Sequence, residues 1–418
     1  MISETGASPI LDCLGKEKFL LDMQTLDRDA KTGQQKPLSV FVLIDALGWR
    51  YIDGGNFLTD LLPHRQPLRT VLGFSSGAIP TMLTGVPPAE NGHWNLFYYD
   101  PQGSPFRWFR HFLFLPDWLL EQRVTRKLLK ETGRRLLGLG PLFECCVSPR
   151  LLPYFNWVEK RNIYDRGGIS GAPSIFDQLH ESGVAYRVYT YHDSTDAEIL
   201  HQAEKDIKNK AASFYFLYLS EMDMFLHMNC DAPEKIADRL RWYDEGLRRI
   251  FEAARRVNSD STFAVSSDHG MTRVSQKYDL LKHLESLSLR MPKDYLAVFD
   301  STMARFWFFH DEARKQIHAA LGQVSCGHIL SDSELRQFGV FFPDRRFGET
   351  IFLLQPGWLF SRSNFNGSGW KPVGMHGYHP DDSYSDGVFL SNRQPELPIR
   401  SVQDVHQWMW STVQPRTV

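Results

Sequence analysis

Short apolar runs alternate with amphipathic stretches along this chain. Residues 37–44 (PLSVFVLI), 213–219 (SFYFLYL) and 262–265 (TFAV) have the continuous apolar composition of strands that are buried on both faces. Residues 234–257 place apolar side chains at steps of three and four, which predicts an amphipathic helix. Strands that alternate with helices predict an α/β fold, with a mostly parallel central sheet that is flanked by helices.

The remaining segments extend this prediction. We expect helices at 174–182 and 195–208, a strand at 184–190, and continued α/β alternation from about 280 to 400. Residues 1–36 are polar and mixed and predict an irregular N-terminal arm, whereas residues 401–418 predict a C-terminal tail. The main domain is therefore expected to span residues 37–400.

Residues 97–172 interrupt the alternation, and we predict that they form a helical cap inserted into the α/β core. The segment is rich in aromatic residues, and its basic residues outnumber the nearby Asp117, Glu121 and Glu131. The basic residues are Arg107, Arg110, Arg123, Arg126, Lys127, Lys130, Arg134 and Arg135. Two interpretations stay open: an ordinary solvated surface, or a basic and aromatic face that contacts an anionic substrate or, peripherally, a membrane lipid surface.

Composition argues against several other classes of protein. The net charge is 47 − 49 = −2, so no strong positive field favours a nucleic-acid polymer as the partner. The sequence shows no leader pattern and no run of about 18 apolar residues of the kind that spans a membrane. The five cysteines show no CxxC spacing and are expected to be reduced thiols, which indicates a cytoplasmic protein.

Polar clusters follow the predicted strands. Asp45 comes directly after the first strand, Asp223 and His227 follow the second at a four-residue spacing, and Asp268 and His269 follow the third. A carboxylate at the end of a buried strand is costly unless it is paired or bound to a metal. Because ligand sites of parallel sheets lie beyond the carboxyl ends of the strands, we expect these side chains to lie close together.

Two further residues complete the set. His376 lies in the loop GMHGYHPD, and Ser75 lies in GFSSGAIPTMLTG, where a Ser-Ser-Gly turn exposes a hydroxyl at the start of a helix. Three carboxylates, three imidazoles and one hydroxyl are the groups that two Zn²⁺-like ions and a metal-activated nucleophile require. Taken singly, each cluster has an ordinary alternative, such as an N-cap, a polar pair on a helix face or a surface histidine. Ser76 is the rival nucleophile.

Together these residues resemble the alkaline phosphatase superfamily and, within it, the nucleotide pyrophosphatase/phosphodiesterase branch. In that branch the first strand ends in a metal-binding Asp, and the nucleophile lies nine residues before the Thr of a Thr-Gly pair. Counting back from Thr84 gives Ser75, and the segments DMFLH, DHG and HGY then follow in the order of the family. The resemblance covers residues 38–95 and 213–380.

The resemblance implies two divalent metal ions, with Zn²⁺ as the first choice and Mn²⁺ as the alternative. One ion would be held by Asp223, His227 and His376. The other would be held by Asp45, Asp268 and His269, with Ser75 reaching it. Three carboxylates and a serine alkoxide carry four negative charges, which two divalent cations neutralise, so the cluster can accept a phosphate anion.

On the substrate side, the resemblance implies that Asn95 holds a phosphoryl oxygen. Two positions depart from the family, because Asn91-Gly92 replaces its common His-Gly and Gly77-Ala78 replaces its Pro-Asn. Both departures concern the side of the site where substrate binds, while the predicted metal ligands are intact.

The expected activity is hydrolysis of a phosphodiester or pyrophosphate bond in a small phosphate ester, through a phosphoseryl intermediate at Ser75. A monoester dianion would need extra positive charge, and Arg69 is the one arginine close to Ser75 in sequence. Alternatives are a phosphotransferase that acts on a lipid or glycan alcohol, a phosphomonoesterase or phosphonate hydrolase of the same superfamily, and an inactive binding module.

Overall fold

The computed structural model describes residues 37–139, 147–192, 194–364 and 371–414, so the predicted N-terminal arm at 1–36 lies outside the described residues. The strands in chain order are β1 Ser39–Ile44, β2 His64–Leu68, β3 Phe97–Tyr99, β4 Phe155–Trp157, β5 Tyr186–Tyr189, β6 Phe214–Leu219, β7 Thr262–Ser266, β8 Thr272–Arg273, β9 Gln276–Tyr278, β10 Tyr295–Asp300, β11 Met303–Phe308, β12 Gly327–Ile329, β13 Thr350–Leu354, β14 Trp358–Phe360, β15 Gly374–Met375 and β16 Gly387–Ser391.

The α-helices in chain order are α1 Trp49–Ile52, α2 Ser75–Thr84, α3 Pro88–Asn91, α4 Asp117–Leu120, α5 Arg123–Leu136, α6 Ile175–Glu181, α7 Asp196–Lys208, α8 Glu221–Asn229, α9 Pro233–Val257, α10 Leu280–Leu284, α11 Asp311–Leu321, α12 Asp332–Gln337 and α13 Asp404–Ser411. Two 3₁₀ turns span Arg107–Phe112 and Leu152–Tyr154. Over the described ranges, no helix combines the length and apolar composition that crossing a bilayer requires.

The central sheet has the strand order β2-β16-β7-β1-β6-β5 over the described residues. β1 pairs in parallel with both β6 and β7, and β5 pairs in parallel with β6, while β16 runs antiparallel to β7 and β2. Ile44 pairs with Leu219, and Leu43 pairs with Ser266, so the carboxyl ends of three strands coincide at one edge. The predicted mostly parallel α/β core is confirmed.

Both faces of this sheet are covered because β1 is apolar at every position. Val42 packs in a core with Leu200 of α7 and Leu247 of α9, on one face of the sheet. Phe41 points to the opposite face and packs in a second core with Phe176 of α6. Successive side chains of a strand point to opposite faces, so a strand that is apolar at every position must be covered on both faces. The alternation of strands with helices in the sequence predicted this arrangement.

The predicted C-terminal tail at 401–418 was wrong for its first half, because α13 packs against the second core. Trp408 lies with its ring centroid 5.1 Å from that of Phe389 and 6.3 Å from that of Phe41. Val405 and Met409 are buried beside it. The apolar side chains of this segment recur at helical spacing, so they lie on one face of the helix and hold it against the core.

The expected α/β alternation between 280 and 400 was also wrong in part. In the described residues, β10, β11, β13 and β12 form a separate antiparallel sheet. β10 and β11 are joined through Ser301, which has a positive φ of 60°, and Thr302. A two-residue connection of this kind returns the chain beside itself and forms a hairpin, so no crossover helix can follow β10.

The segment predicted as a cap contains the 3₁₀ turn 107–112, the helices α4 and α5, and an antiparallel pair of short strands, β3 and β4. Its small core includes Phe106 and Phe155, and this core is continuous with Leu296 and Trp307 of the second sheet. The insertion therefore rests on the antiparallel sheet and contains a strand pair as well as helices.

Candidate active site

Three carboxylates meet where β1, β6 and β7 end. The backbone N–H of Asp45 donates to the carbonyl of Leu219 at 3.0 Å, so Asp45 extends the parallel ladder by one residue beyond β1. Asp268 follows β7 after one residue, and its Oδ1 accepts from the N–H of Ala46 at 3.2 Å. Asp223 lies in the first turn of α8, which begins two residues after β6. The sheet edge thus brings together three acids that are far apart in sequence.

Two histidines flank Asp223. Nε2 of His227, one helical turn further along α8, lies 3.3 Å from Asp223 Oδ2. Nε2 of His376 lies 3.5 Å from the other oxygen, Oδ1. His376 reaches the site because Met375 in β15 pairs with Thr272 in β8, shortly after Asp268 in the chain. This pair of two-residue strands carries the late histidine to the edge of the main sheet.

The third histidine joins the other two acids. Nε2 of His269 lies 3.3 Å from Asp268 Oδ2 and 3.6 Å from Asp45 Oδ1. The His269 ring stacks on that of His376, with centroids 3.8 Å apart and an angle of 12° between the planes. The six predicted carboxylate and imidazole ligands therefore form one contiguous cluster.

The tautomers of two histidines follow from their backbone contacts. Nδ1 of His227 lies 2.8 Å from the carbonyl of Gly374, and Nδ1 of His269 lies 2.9 Å from the carbonyl of Gly270. A carbonyl oxygen only accepts, so both Nδ1 atoms carry the proton. Nε2 of each ring then faces carboxylate oxygens, an arrangement that needs a proton or a metal cation between the nitrogen and the oxygen. A histidine whose Nδ1–H is fixed by a carbonyl is the usual form of a metal-ligating imidazole.

Ser75 presents its hydroxyl to this cluster. It is the first residue of α2, and its Oγ lies 2.9 Å from Nε2 of His269. Because Ser75 starts this helix, its hydroxyl lies at the helix N-terminus, where the dipole favours negative charge. The rival Ser76 donates instead to the backbone carbonyl of Trp94 at 3.1 Å.

The Ser75–His269 contact differs from a Ser-His-Asp triad. In a triad the acid binds Nδ1, on the far side of the ring from the nucleophile. Here Nδ1 of His269 contacts a backbone carbonyl, and the two carboxylates lie at Nε2, the nitrogen that Ser75 also contacts. Hydroxyl, imidazole and carboxylates converge on one point, which is the geometry of ligands around an ion.

Several polar atoms of the cluster lack hydrogen-bond partners within the described part of the chain although they are buried. They are Asp45 Oδ1, Asp223 Oδ1, Asp268 Oδ2 and His376 Nδ1. Native proteins rarely leave such atoms unsatisfied, except where an ion or another ligand belongs. Two ligands of a tetrahedral Zn²⁺, each at about 2.0–2.2 Å from it, lie about 3.3–3.6 Å apart. The contacts of 3.3–3.6 Å between imidazole nitrogens and carboxylate oxygens match this spacing.

The donor atoms form two overlapping groups. Asp223, His227 and His376 form one, as predicted, with ligand atoms within 4.8 Å of one another. Asp45, His269 and Asp223 form the second, and the predicted Asp268 adds a further carboxylate beside it. Asp268 still reaches His269, as its 3.3 Å contact shows. Asp223 thus lies between the groups and offers an oxygen to each.

Burial and the short distances between the charged groups shift the pKa values of several residues of the cluster. Burial, and then the neighbouring carboxylates of Asp268 and Asp223, raise the pKa of Asp45 well above its usual value. Burial also opposes ionisation of Asp223, but its hydrogen bond with His227 and the imidazole of His376 outweigh burial and hold its pKa below the usual range. Burial, and then His269, lower the pKa of His376 well below its usual value. Divalent cations would relieve the repulsion between the carboxylates.

Asn95, the predicted phosphoryl-oxygen ligand, is buried one residue beyond Trp94, the residue that holds Ser76. Its Nδ2 lies 3.9 Å from Sδ of Met303, and its Oδ1 has no hydrogen-bond partner among the described residues. The structure places Asn95 in the segment that contacts the start of α2, and its role toward substrate stays a prediction.

A cavity of about 500 Å³ adjoins Ser75. Its lining residues are Ser75, Ser76, Ile79, Leu96, Leu139, Glu159, Lys160, Arg161, Asn162, Ile163, Tyr164, Asp165, Tyr191, His192 and Tyr218. Apart from Ser75 and Ser76, these residues were not predicted as site residues. A charged triplet, Glu159-Lys160-Arg161, directly after an aromatic stretch is the feature of the sequence that could have indicated this wall.

Aromatic rings form one side of this cavity. The ring of Tyr218 lies 5.8 Å from that of Tyr164 and 5.5 Å from that of Tyr191, between centroids. The Tyr191 ring stacks on His192 at 4.3 Å. The Tyr218 hydroxyl also donates to Asp45 Oδ2 through a short hydrogen bond, so one side chain links the cavity wall to the carboxylate cluster.

Comparisons with known proteins identify the family and the fold. The family model for type I phosphodiesterase / nucleotide pyrophosphatase matches residues 40–379. No curated protein matches the chain by sequence. Human ectonucleotide pyrophosphatase / phosphodiesterase 5 shares the fold at a TM-score of 0.64 and 13% identity, over 92% of this chain and 97% of its own. The murine protein gives 0.63 and 16%, over 91% and 95%, as does its inactive variant in complex with AMP.

Proposed function

The chain belongs to the type I phosphodiesterase / nucleotide pyrophosphatase family, and from that premise we propose that it cleaves phosphodiester or pyrophosphate bonds with Ser75 as the nucleophile. The proposed reaction uses two divalent metal ions, with Zn²⁺ as the first choice and Mn²⁺ as the alternative. The convergence of Ser75 Oγ with Asp45 and Asp268 on Nε2 of His269 carries the proposal. The ions, when bound, supply positive charge to the entering and departing oxygens.

The residues of the chain define two steps. Ser75 Oγ attacks phosphorus, and its hydroxyl proton passes to solvent. The bond from phosphorus to the leaving oxygen breaks, and that oxygen takes up a proton from solvent when an alcohol is released. The phosphoryl group and its remaining organic substituent stay as an ester of Ser75. Water then attacks the same phosphorus, the bond to Oγ breaks, and Ser75 regains its proton. Asn95 is proposed to donate its amide N–H to a non-bridging oxygen during both steps.

The aromatic cavity is proposed to hold the organic group of the ester. Rings such as Tyr164 and Tyr191 stack on planar groups, and Lys160 and Arg161 supply positive charge at the same wall. An inactive variant of the murine protein is found in complex with AMP, so nucleotide esters are the first compounds to test. Arg69 is bound to Asp381 and does not line the cavity, so it does not supply the extra positive charge that a monoester dianion would need.

Metal analysis and turnover test this proposal together. We expect about two Zn²⁺ or Mn²⁺ ions per chain after purification with metal, and faster turnover of bis(p-nitrophenyl) phosphate than of p-nitrophenyl phosphate. An ester of Ser75 that carries the phosphoryl group and its remaining organic substituent, trapped by rapid acid quench and located by mass spectrometry, would identify the intermediate. A metal-free active enzyme would contradict the proposed site, and a strong monoester preference would contradict the proposed substrate.

A screen identifies the ester. Nucleotide, glycerophospho and phosphonate esters are compared by kcat/KM with the metal-loaded protein, with and without alcohol acceptors. Release of free phosphate or phosphomonoester identifies a hydrolase. Transfer to an added alcohol in preference to water would instead identify the phosphotransferase alternative.

A further inference from the structure

The cap carries an unusual share of the exposed apolar surface. Within the described ranges, fourteen large apolar side chains are exposed, and seven of them lie between positions 108 and 136. These seven are Trp108, Phe112, Phe114, Trp118, Val124, Leu128 and Leu136. Phe114 is 81% exposed and Trp118 is 69% exposed, so these rings contribute little to the core below. Concentrated exposed apolar surface marks a contact site.

The same segment is strongly basic although the chain is slightly acidic. Residues 107–136 contain eight Arg and Lys and three Asp and Glu, a net charge of 8 − 3 = +5. The chain as a whole carries −2, so the remainder carries −2 − 5 = −7. Positive charge is therefore segregated onto the segment that also exposes apolar rings, and we call residues 107–136 the cap surface.

The acids of the cap surface are already neutralised by arginines. Glu131 pairs with Arg135 at 2.8 Å, and Glu121 pairs with Arg126. Asp117 pairs with Arg150 from outside the segment. Among the described residues, Arg107, Arg110, Arg123 and Lys127 are exposed and form no ion pair. The positive charge of this surface is thus available to an external anion.

The exposed rings are held in place. Besides its ion pair, Arg150 donates to the carbonyl of Leu113 at 2.7 Å and to that of Leu115 at 2.8 Å. These bonds fix the turn that carries Phe114, and the bound Asp117 starts the helix that carries Trp118. Solvent exposure of these two aromatic residues is therefore set by a structured turn.

Helix α5 presents both kinds of side chain outward. Leu129 and Gly133 are its buried residues. On the opposite side, Val124 and Leu128 are one turn apart, and Arg123 and Lys127 precede them at the same spacing. An exposed face in which apolar residues alternate with basic ones is suited to the boundary between acyl chains and anionic headgroups.

We propose that the cap surface docks on a bilayer that contains anionic lipids. Phe114, Trp118, Val124 and Leu128 enter the headgroup region, and Arg107, Arg110, Arg123 and Lys127 contact lipid phosphates. Charge complementarity selects this occupant over a neutral apolar partner. Because the basic residues and the exposed apolar residues belong to the same segment, 107–136, both contributions act on the same contact.

Vesicle sedimentation of the full chain tests the proposal. We expect binding to phosphatidylcholine vesicles that contain phosphatidylglycerol, little binding to phosphatidylcholine alone, and weaker binding as salt is raised. R123Q/K127Q is expected to weaken binding to anionic vesicles by about 30-fold. F114S/W118S is expected to weaken it by at least about tenfold.

Matched variants elsewhere on the surface separate docking from general effects. K205Q/K315Q removes two exposed charges, and L397S removes an exposed apolar side chain, and both are expected to bind as wild type. Turnover of a small soluble ester should stay at the wild-type level in every variant, which reports correct folding. Equal losses in the matched variants would contradict the assignment to the cap surface.

Other occupants give different results. If the wild-type protein does not bind anionic vesicles, or binds neutral vesicles equally well, the proposal is overturned. If sedimentation velocity shows a dimer that F114S/W118S converts to a monomer while no vesicle binding occurs, the surface is a contact between copies of the chain and the proposal is likewise overturned.

Discussion

Ser75 Oγ and His269 Nε2 lie 2.9 Å apart although 194 positions separate the two residues in the chain. The contact joins the start of α2 to the loop after β7, and it is made on the nitrogen that also faces Asp45 and Asp268. The next residue, Ser76, has its hydroxyl turned to the backbone carbonyl of Trp94. Two adjacent serines therefore have different chemical surroundings, and the pair offers a matched comparison.

Replacing Ser75 by alanine is expected to lower kcat by at least about 10³-fold, because the nucleophile is removed. Metal content should stay unchanged, since the carboxylate and imidazole ligands remain. Ser76→Ala is the control and should retain most of the activity. Steady-state kinetics and elemental analysis of both variants check this, and comparable losses in the two would contradict the assignment of the nucleophile.

Asp223 contributes to both groups of ligand atoms, whereas His227 contributes to one. Asp223→Asn is therefore expected to reduce the content of both metal ions, and His227→Gln that of one. Asp231→Asn, a change at an exposed residue paired with Arg273, is the control. Elemental analysis after dialysis against limiting metal measures the difference. Loss of a single equivalent in Asp223→Asn would show that its two oxygens do not serve both groups.

Chelation should lower stability as well as activity. A ligand bound only by the folded state at about 100 times its Kd stabilises that state by about 2.7 kcal/mol. Removing metal with a chelator is therefore expected to lower Tm by several degrees, and returning Zn²⁺ or Mn²⁺ should restore it. Differential scanning calorimetry measures this, with the Asp223→Asn variant as a control in which the chelator shift should be much smaller.

The sequence predicted those parts of the site that depend on local pattern. Asp45 and Asp268 follow apolar runs, and the end of such a run is visible in a single sequence. The sharing of Asp223 was not predicted, because it depends on where His376 arrives. That position is set by the pairing of β15 with β8, two strands too short to form a recognisable apolar pattern.

The cavity was missed for a related reason. Tyr218 lies inside the apolar run of β6 and has the pattern of a core residue, so its bond to Asp45 is visible only in three dimensions. Glu159 follows β4 with Lys160 and Arg161, a sequence typical of solvated surface. The antiparallel sheet was not predicted, because we expected strands and helices to continue alternating in this region. The short connection at Ser301, which joins two neighbouring strands directly, was not recognised as the turn of a hairpin.

His93 should make the fold less stable in mild acid. Its side chain is 2% exposed, and burial lowers its pKa to about 4, below the value of about 6.5 in an unfolded chain. The unfolded state therefore binds the proton first, so stability is complete above about pH 6.5 and falls as pH drops toward 4. Lowering the pH from 7 to 5 is therefore expected to decrease the free energy of unfolding by about 2 kcal/mol.

Urea unfolding of His93→Gln at the two pH values tests this. The difference in unfolding free energy between pH 7 and pH 5 should shrink by about 2 kcal/mol relative to wild type. His201→Gln, on the exposed side of α7, is the control and should keep the wild-type difference. An unchanged difference in His93→Gln would show that the ring is not a source of acid sensitivity.

Arg305 and Asp300 form an ion pair in which both side chains are fully buried. Arg305 Nη1 also donates to the carbonyl of Phe97 at 3.1 Å, which ties the antiparallel sheet to the start of the cap. Arg305→Met is expected to destabilise the protein by about 3–5 kcal/mol, because it leaves Asp300 charged and unpaired. The double variant D300L/R305M should recover part of this loss in urea unfolding, whereas purely additive losses would exclude coupling.

Glu159 is expected to make substrate binding depend on pH. It lines the cavity beside Ser75, and burial raises its pKa to about 7. Its carboxyl is therefore neutral below pH 7 and negatively charged above it. Burial also raises the pKa of Tyr191, to about 12, so that wall residue stays neutral over this range. At an effective dielectric of about 20 and a separation of about 15 Å, a charged Glu159 and an anionic substrate repel each other by about 1 kcal/mol, which lowers the affinity by about fivefold.

For an anionic diester, KM of the wild type should thus rise by about fivefold from pH 6 to pH 8, while Glu159→Gln should hold it nearly constant. Glu181→Gln, at an exposed position on α6, should follow the wild type. His192→Gln measures the share of the imidazole at the same wall. If KM of Glu159→Gln still rises with pH, repulsion by this carboxylate is not its cause, because the neutral amide preserves the shape of the side chain and removes only its charge.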